Sequence, residues 1–162
     1  MKYTLTDRQL EILKTFGLKR QEFNSKINKP DAHGFKGNGI KIHTQGVTSE
    51  FVVSKLLNLK WIPFSENYEK IKADVGTNTQ VRSTNHRYGN LLVHDKDDDE
   101  QGFVLVRLHN LPECEMVGWV YGKTAKDKKY WEDGTNRPSF KGRACYMYPA
   151  NLLNPMDTYR DE

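Results

Sequence analysis

Residues 74–84 read Asp74-Val75-Gly76-Thr77-Asn78-Thr79-Gln80-Val81-Arg82-Ser83-Thr84, and the interpretation of this stretch decides the fold. Side chains alternate along a strand, so Gln80, Arg82 and Thr84 share one face while Val81 turns to the core. Ile71 to Val75 predicts a short strand before it. A hairpin turning near Gly76 then brings Asp74 beside Gln80. Upstream, Thr48 or Ser49 predicts the N-cap of a helix reaching about Asn58. Val52, Val53, Leu56 and Leu57 form its buried stripe. In that frame Glu50 falls in the first turn, where the helix dipole favours a carboxylate. Glu50, Val53 and Leu57, spaced three and then four apart, lie on one face.

A helix glutamate, an aspartate and a Gln-x-Arg strand supply the chemistry of a metal-dependent nuclease. A hard divalent cation takes oxygen ligands, often one or two carboxylates plus waters and substrate phosphate. Asp74 is the expected central ligand, completed by the Gln80 side-chain oxygen and the Val81 carbonyl. Glu50 is expected to bind directly or through water. Arg82 is expected to face the scissile phosphate and stabilise its charge. The alternative is plain: a strand aspartate and a Gln-Val-Arg that merely face solvent.

The rest of the chain predicts helices first and strands after. Thr6 caps a helix from Asp7. Gly17 is expected to interrupt it, with a second helical turn over Lys19 to Ile27. Lys29 to Gly46 holds Pro30 and several glycines and predicts a mobile loop with a short strand at Ile40-Lys41-Ile42-His43. Gln80–Thr84 and Leu91–His94 look like two arms joined by the turn-rich Asn85–Asn90. Asp95 to Gly102 is an acidic loop. Phe103 to Leu108 is a continuous apolar strand, expected to be central. Met116 to Tyr121 is another, apolar enough to allow a sheet-edge contact. Thr124 to Trp131 predicts a short helix, Ala144 to Tyr148 a last strand, and Pro149 to Leu153 a helical turn. This order defines the α+β class.

The pattern resembles the restriction-endonuclease-like, or PD-(D/E)XK, superfamily, with Glu50, Asp74, Gln80 and Arg82 at its site positions. The flanking text is similar to small, often phage-encoded members of that superfamily. It shares Gly46 to Glu50, Asp74-Val75-Gly76, the Val81-Arg82-Ser83-Thr84 strand, the apolar Phe103 strand, Gly118 to Gly122 and Tyr146 to Pro149. The resemblance covers roughly residues 46–156. It implies a restriction-endonuclease-like core, a small mixed central β-sheet flanked by helices, and Mg2+- or Mn2+-dependent hydrolysis of DNA. It also implies the possibility of a homodimer and, if phage-encoded, action in the host cytoplasm. Two positions depart from the family pattern. Gln80 stands where an acidic residue is usual, and a neutral amide does not offset a metal's charge. Arg82 replaces lysine; it grips phosphate well but cannot act as a base. These departures keep a second outcome open, a non-catalytic nucleic-acid-binding or protein-inhibitory domain of the same fold.

Composition sets the outer bounds. The 162 residues suit one domain, divided into an N-terminal region (1–45), the core (46–156) and a polar tail (157–162). The net charge of +4 and pI near 9.0 permit a polyanionic partner such as DNA. His86 and Arg87, just past the Gln80 strand, and Lys123 and Lys126 in the Lys123–Lys129 cluster are candidate nucleic-acid contacts. Cys114 and Cys145 have no zinc spacing and read as free buried thiols. No apolar run approaches membrane-spanning length and the first residues carry no signal-peptide core, so the expectation is cytoplasmic. No phosphate loop, dinucleotide glycine pattern or nucleophile elbow is present.

Overall fold

The structure is a computed structural model that describes residues 1–27, 39–67 and 70–162. Its order is β1 (Lys2–Thr4), α1 (Asp7–Lys26), α2 (Gly39–Leu57), β2 (Thr79–Thr84), β3 (Leu91–Val93), β4 (Gly102–Asn110), β5 (Glu113–Tyr121), α3 (Gly122–Ala125), β6 (Trp131–Glu132) and β7 (Cys145–Tyr148). The class is α+β. One sheet runs β1-β5-β4-β2 and a second runs β3-β7-β6. The first is mixed, because β2 lies parallel to β4 while β4–β5 and β5–β1 are antiparallel.

The apolar run of β4 explains the layering. A strand buried on both faces needs apolar side chains in both directions. Val104, Val106 and Leu108 point into a core shared with Val47, Val52 and Val53 of α2 and with Leu13 of α1. Phe103 and Leu105 point the other way, onto Leu91, Val93 and Tyr148 of the second sheet. The larger sheet thus lies between a helical layer and a smaller sheet. Each such buried side chain contributes about 1.5–3 kcal/mol relative to exposure.

The N-terminal half departs from expectation in three ways. First, α1 is unbroken across Gly17. A Cβ there would lie 2.3 Å from Thr44 Oγ1, so the glycine allows α1 and α2 to approach closely rather than ending the helix. Its N-terminus is the expected Thr6 cap, strengthened by Gln9, whose side chain accepts from the Thr6 N–H at 2.9 Å. Second, the expected loop is helical from Gly39 to Gly46, including the expected strand at Ile40–His43, because α2 already begins at Gly39; its residues 29–38 lie outside the described residues. Third, Thr48 and Ser49 do not cap. Their hydroxyls donate back to Thr44 O at 2.7 Å and Gln45 O at 3.0 Å inside the helix. Glu50 is therefore mid-helix, and the dipole argument for its charge does not hold.

The β half also rearranges. Ile71–Val75 forms no strand; Val75 alone bridges Trp61 and Thr79. The Gln80 and Leu91 segments are not paired arms: β2 joins β4 in one sheet and β3 joins β7 in the other. Thr124–Trp131 is split into α3 and a 3-10 turn at Lys128–Tyr130. The Met116–Tyr121 edge is not open, since Met116 bonds Met1 in both directions and Trp119 bridges Asn154. The polar tail is docked: Tyr159 is buried and Asp161 bonds the Gly76 turn. Both cysteines are free and buried, as expected. Among the described residues no helix is long and apolar enough to cross a membrane.

Candidate active site

The Asp74–Thr79 turn positions the first residue. Asp74 N and Val75 N both donate to Thr79 O, at 3.0 and 3.2 Å, which closes a tight turn at Gly76 in place of the expected two-stranded hairpin. Gly76 has φ +64°, which favours glycine, and a Cβ there would also crowd the Asp161 carboxylate. The turn brings Asp74 Oδ2 to 2.8 Å from the Val81 N–H. That N–H lies on the outer edge of β2, away from β4. Asp74 thus covers an edge donor of the sheet.

Strand alternation positions the rest. Val81 faces the helical core. Gln80 and Arg82 face the opposite way, and the Arg82 guanidinium lies over the Phe103 ring at 5.1 Å. Gln80 Nε2 donates to Lys72 O at 2.8 Å, leaving its Oε1 3.5 Å from Arg82 Nη1. Arg82 Nη1 also donates to Val81 O at 3.2 Å and lies 3.8 Å from Asp74 Oδ2. Its Nη2 pairs with Asp97 Oδ2 at 2.8 Å. Its Nε is buried and unpartnered among the described residues.

Glu50 reaches the site through its field rather than by contact. Arg20 grips both of its oxygens at 2.7 and 2.6 Å, and the Trp61 indole N–H donates to Oε2 at 2.9 Å. Asp74 still responds to it. Burial first, and then the Glu50 charge, push the Asp74 carboxyl up to about 6, against the opposing pull of Arg82 and the Val81 N–H. Asp97 behaves in the opposite way. Burial works to raise its pKa, but Arg82 and the His94 N–H outweigh it and hold the group below its ordinary range.

The oxygens at this edge are those of Asp74, Gln80 and the Val81 carbonyl, and the Arg82 guanidinium is the cation now set against them. Asp74 Oδ1 accepts no hydrogen bond among the described residues, and Gln80 Oε1 and the Val81 carbonyl lie on the same edge with only Arg82 against them. Glu50 offers no spare oxygen while Arg20 and Trp61 hold it. The described residues contain no cluster of three or more His, Cys, Asp or Glu with metal-binding geometry.

The remaining predicted contacts separate. His86 and Arg87 lie in the β2–β3 connection and are exposed. Lys123 is exposed and pairs with Glu100 at 3.4 Å. Lys126 is turned inward: it donates to the carbonyls of Asp95 and Asp97 and pairs with Asp99 at 2.7 Å, so it organises the acidic loop instead of facing a ligand. Arg20, Trp61 and Asp97 are partners that sequence reasoning missed. Asp97 was concealed among neighbouring acids that read as a solvated loop, and nothing local to Arg20 marks it.

No family model matches the chain, and no solved structure matches it. Lymphocyte antigen 75 of Mesocricetus auratus is 38% identical over 80 residues, which is 48% of this chain. The matched region spans 4% of that protein's length.

Proposed function

We propose that this protein is a metal-dependent nuclease acting on DNA, built on a restriction-endonuclease-like core. The observation that carries the proposal is the convergence of Asp74, Gln80, Val81 and Arg82 on one strand edge, within the field of Glu50. Asp74 Oδ1, Gln80 Oε1 and the Val81 carbonyl would hold Mg2+ or Mn2+. When bound, the ion supplies a Lewis acid and a more acidic water.

The chain's own residues do the rest. The Asp74 carboxyl, raised to about 6, is ionised and able to take a cation above that pH and is lost to protonation below it. Arg82 exchanges Val81 O and Gln80 Oε1 for a phosphate oxygen and neutralises the charge that develops there. Phe103 beneath the guanidinium and Asp97 beside it fix its plane. Glu50 is a positioning residue: it ties α1 and Trp61 to α2 and raises the proton affinity of Asp74.

A second reading has its own support. Arg82 and Glu50 are both already neutralised by internal partners, which suits a domain of this fold that binds nucleic acid or a protein without cutting. Cleavage of linear, circular and single-stranded DNA with Mg2+, Mn2+ or EDTA separates the two. Metal-dependent products that vanish in Asp74→Ala support the nuclease; intact substrate with folded protein supports the binding domain.

A further inference from the structure

The face of the larger sheet that carries Gln80 and Arg82 continues past the second sheet to a cleft. The parallel register sets Arg82 beside Leu105 and Thr84 beside Arg107. Two residues along β2 is roughly 7 Å, so the cleft begins that far from Arg82. Its volume is about 280 Å³, and Arg107 and His109 of β4, Lys2 of β1 and Glu115 of β5 line it. Arg87 and Tyr88 of the β2–β3 connection close its rim.

Three observations mark this cleft as a binding site. Tyr88 is 79% exposed, the highest value among the exposed large hydrophobic residues of the described chain. An aromatic ring left in water at the rim of a cleft is a ready stacking surface. The Arg87 guanidinium lies 5.4 Å from the ring centre and makes no ion pair among the described residues. The floor is different, since its acids are already committed. Lys2 pairs with Glu113 at 2.9 Å and Arg107 with Glu115 at 3.3 Å. Arg107 Nε is buried without a partner among the described residues, a donor still to be satisfied. The uncompensated charge of the cleft is therefore positive and sits beside the exposed ring.

We infer that this cleft binds single-stranded nucleic acid, with a base stacked on Tyr88 and the adjoining phosphate held by Arg87. A stacked base must be unpaired, because a duplex hides its faces. The inference rests on the proposed function only for the choice of a polynucleotide as ligand. It adds that the strand leaving the Asp74 edge runs along β2 to the cleft, so the protein prefers single strands or frayed ends.

The test is equilibrium binding of a fluorescein-labelled oligo(dT) in EDTA, with a duplex of equal length alongside. Tyr88→Ala should weaken oligo(dT) binding about tenfold, as loss of one base–aromatic stack does. Tyr88→Trp should restore it. Arg87→Gln should weaken binding and flatten its salt dependence. Both side chains are exposed, so folding is not at risk, and circular dichroism checks it. Tyr88→Ala binding like wild type, or duplex bound as tightly as single strand, overturns the inference. The assay needs neither metal nor cleavage. Tyr88-dependent binding without any cleavage would remove the nuclease proposal and leave the cleft; cleavage with Tyr88→Ala unaffected in KM and binding would do the reverse.

Discussion

Two of the arginine–carboxylate pairs, Arg20–Glu50 and Arg82–Asp97, differ in how completely they are satisfied. Between the helices, Arg20 and Glu50 form a two-pronged bridge with side chains only 12% and 9% exposed, closed further by Trp61 and by Arg20 Nε on Pro63 O. At the strand edge, Arg82 divides itself among Asp97, Val81 O, Gln80 and Asp74; among the described residues one of these contacts is shorter than 3 Å and its Nε has no partner. A fully satisfied pair resists change, whereas a loosely shared cation can exchange a partner for a ligand. The comparison places structural duty on the helix pair and chemical capacity on the strand edge.

Breaking the helix pair should have the largest effect on stability. Glu50→Ala removes the carboxylate that takes both Arg20 prongs and the Trp61 indole N–H, and chemical denaturation should show a loss of about 3–5 kcal/mol. Asp97→Ala should cost less, about 2 kcal/mol, because Arg82 keeps other acceptors while the His94 N–H loses its own. Equal losses from the two variants would erase the distinction between the pairs.

The pH dependence sharpens it. The carboxyl of Asp97 is held low in the folded chain, so its contribution is present above the ordinary carboxylate range and is lost as pH falls through its depressed pKa. The carboxyl of Asp74 is raised to about 6, so its contribution is present below about 4 and is lost as pH rises through 6. Asp74→Asn should therefore gain on the order of 1 kcal/mol over wild type at pH 8 and nothing at pH 4, read from denaturation midpoints. For the same reason metal affinity should climb between pH 5 and 7, a rise that isothermal titration would follow and that Asp74→Asn should abolish.

Local chemistry made much of this visible in advance. The Thr6 cap, the apolar β4 and the Gly76 turn all follow from short-range rules, and with the turn came the approach of Asp74 to the Gln80 strand. Long-range choices did not follow. Glycines between 34 and 46 mark a loop by propensity, yet those from Gly39 onward lie in a helix that packs against α1 and the sheet; tertiary burial overrides propensity there. Thr48 and Ser49 have capping chemistry but spend it on carbonyls within their own helix. β2 and β3 look like a hairpin in sequence, and only the two-sided burial of β4 explains their separation into different sheets. Of the site, the strand residues were legible because alternation fixes their faces, while Arg20 and Asp97 arrive from 30 and 15 residues away, beyond any local pattern.

The most direct test of the central claim is cleavage of single- and double-stranded DNA at pH 7.5 by the wild-type protein and by Asp74→Ala, with Mg2+, Mn2+ or EDTA. A nuclease at the strand edge predicts metal-dependent products that fall at least about a hundredfold in the variant while its thermal unfolding stays cooperative. Cleavage that survives Asp74→Ala, or no cleavage of any substrate by folded wild-type protein with either metal, would contradict it.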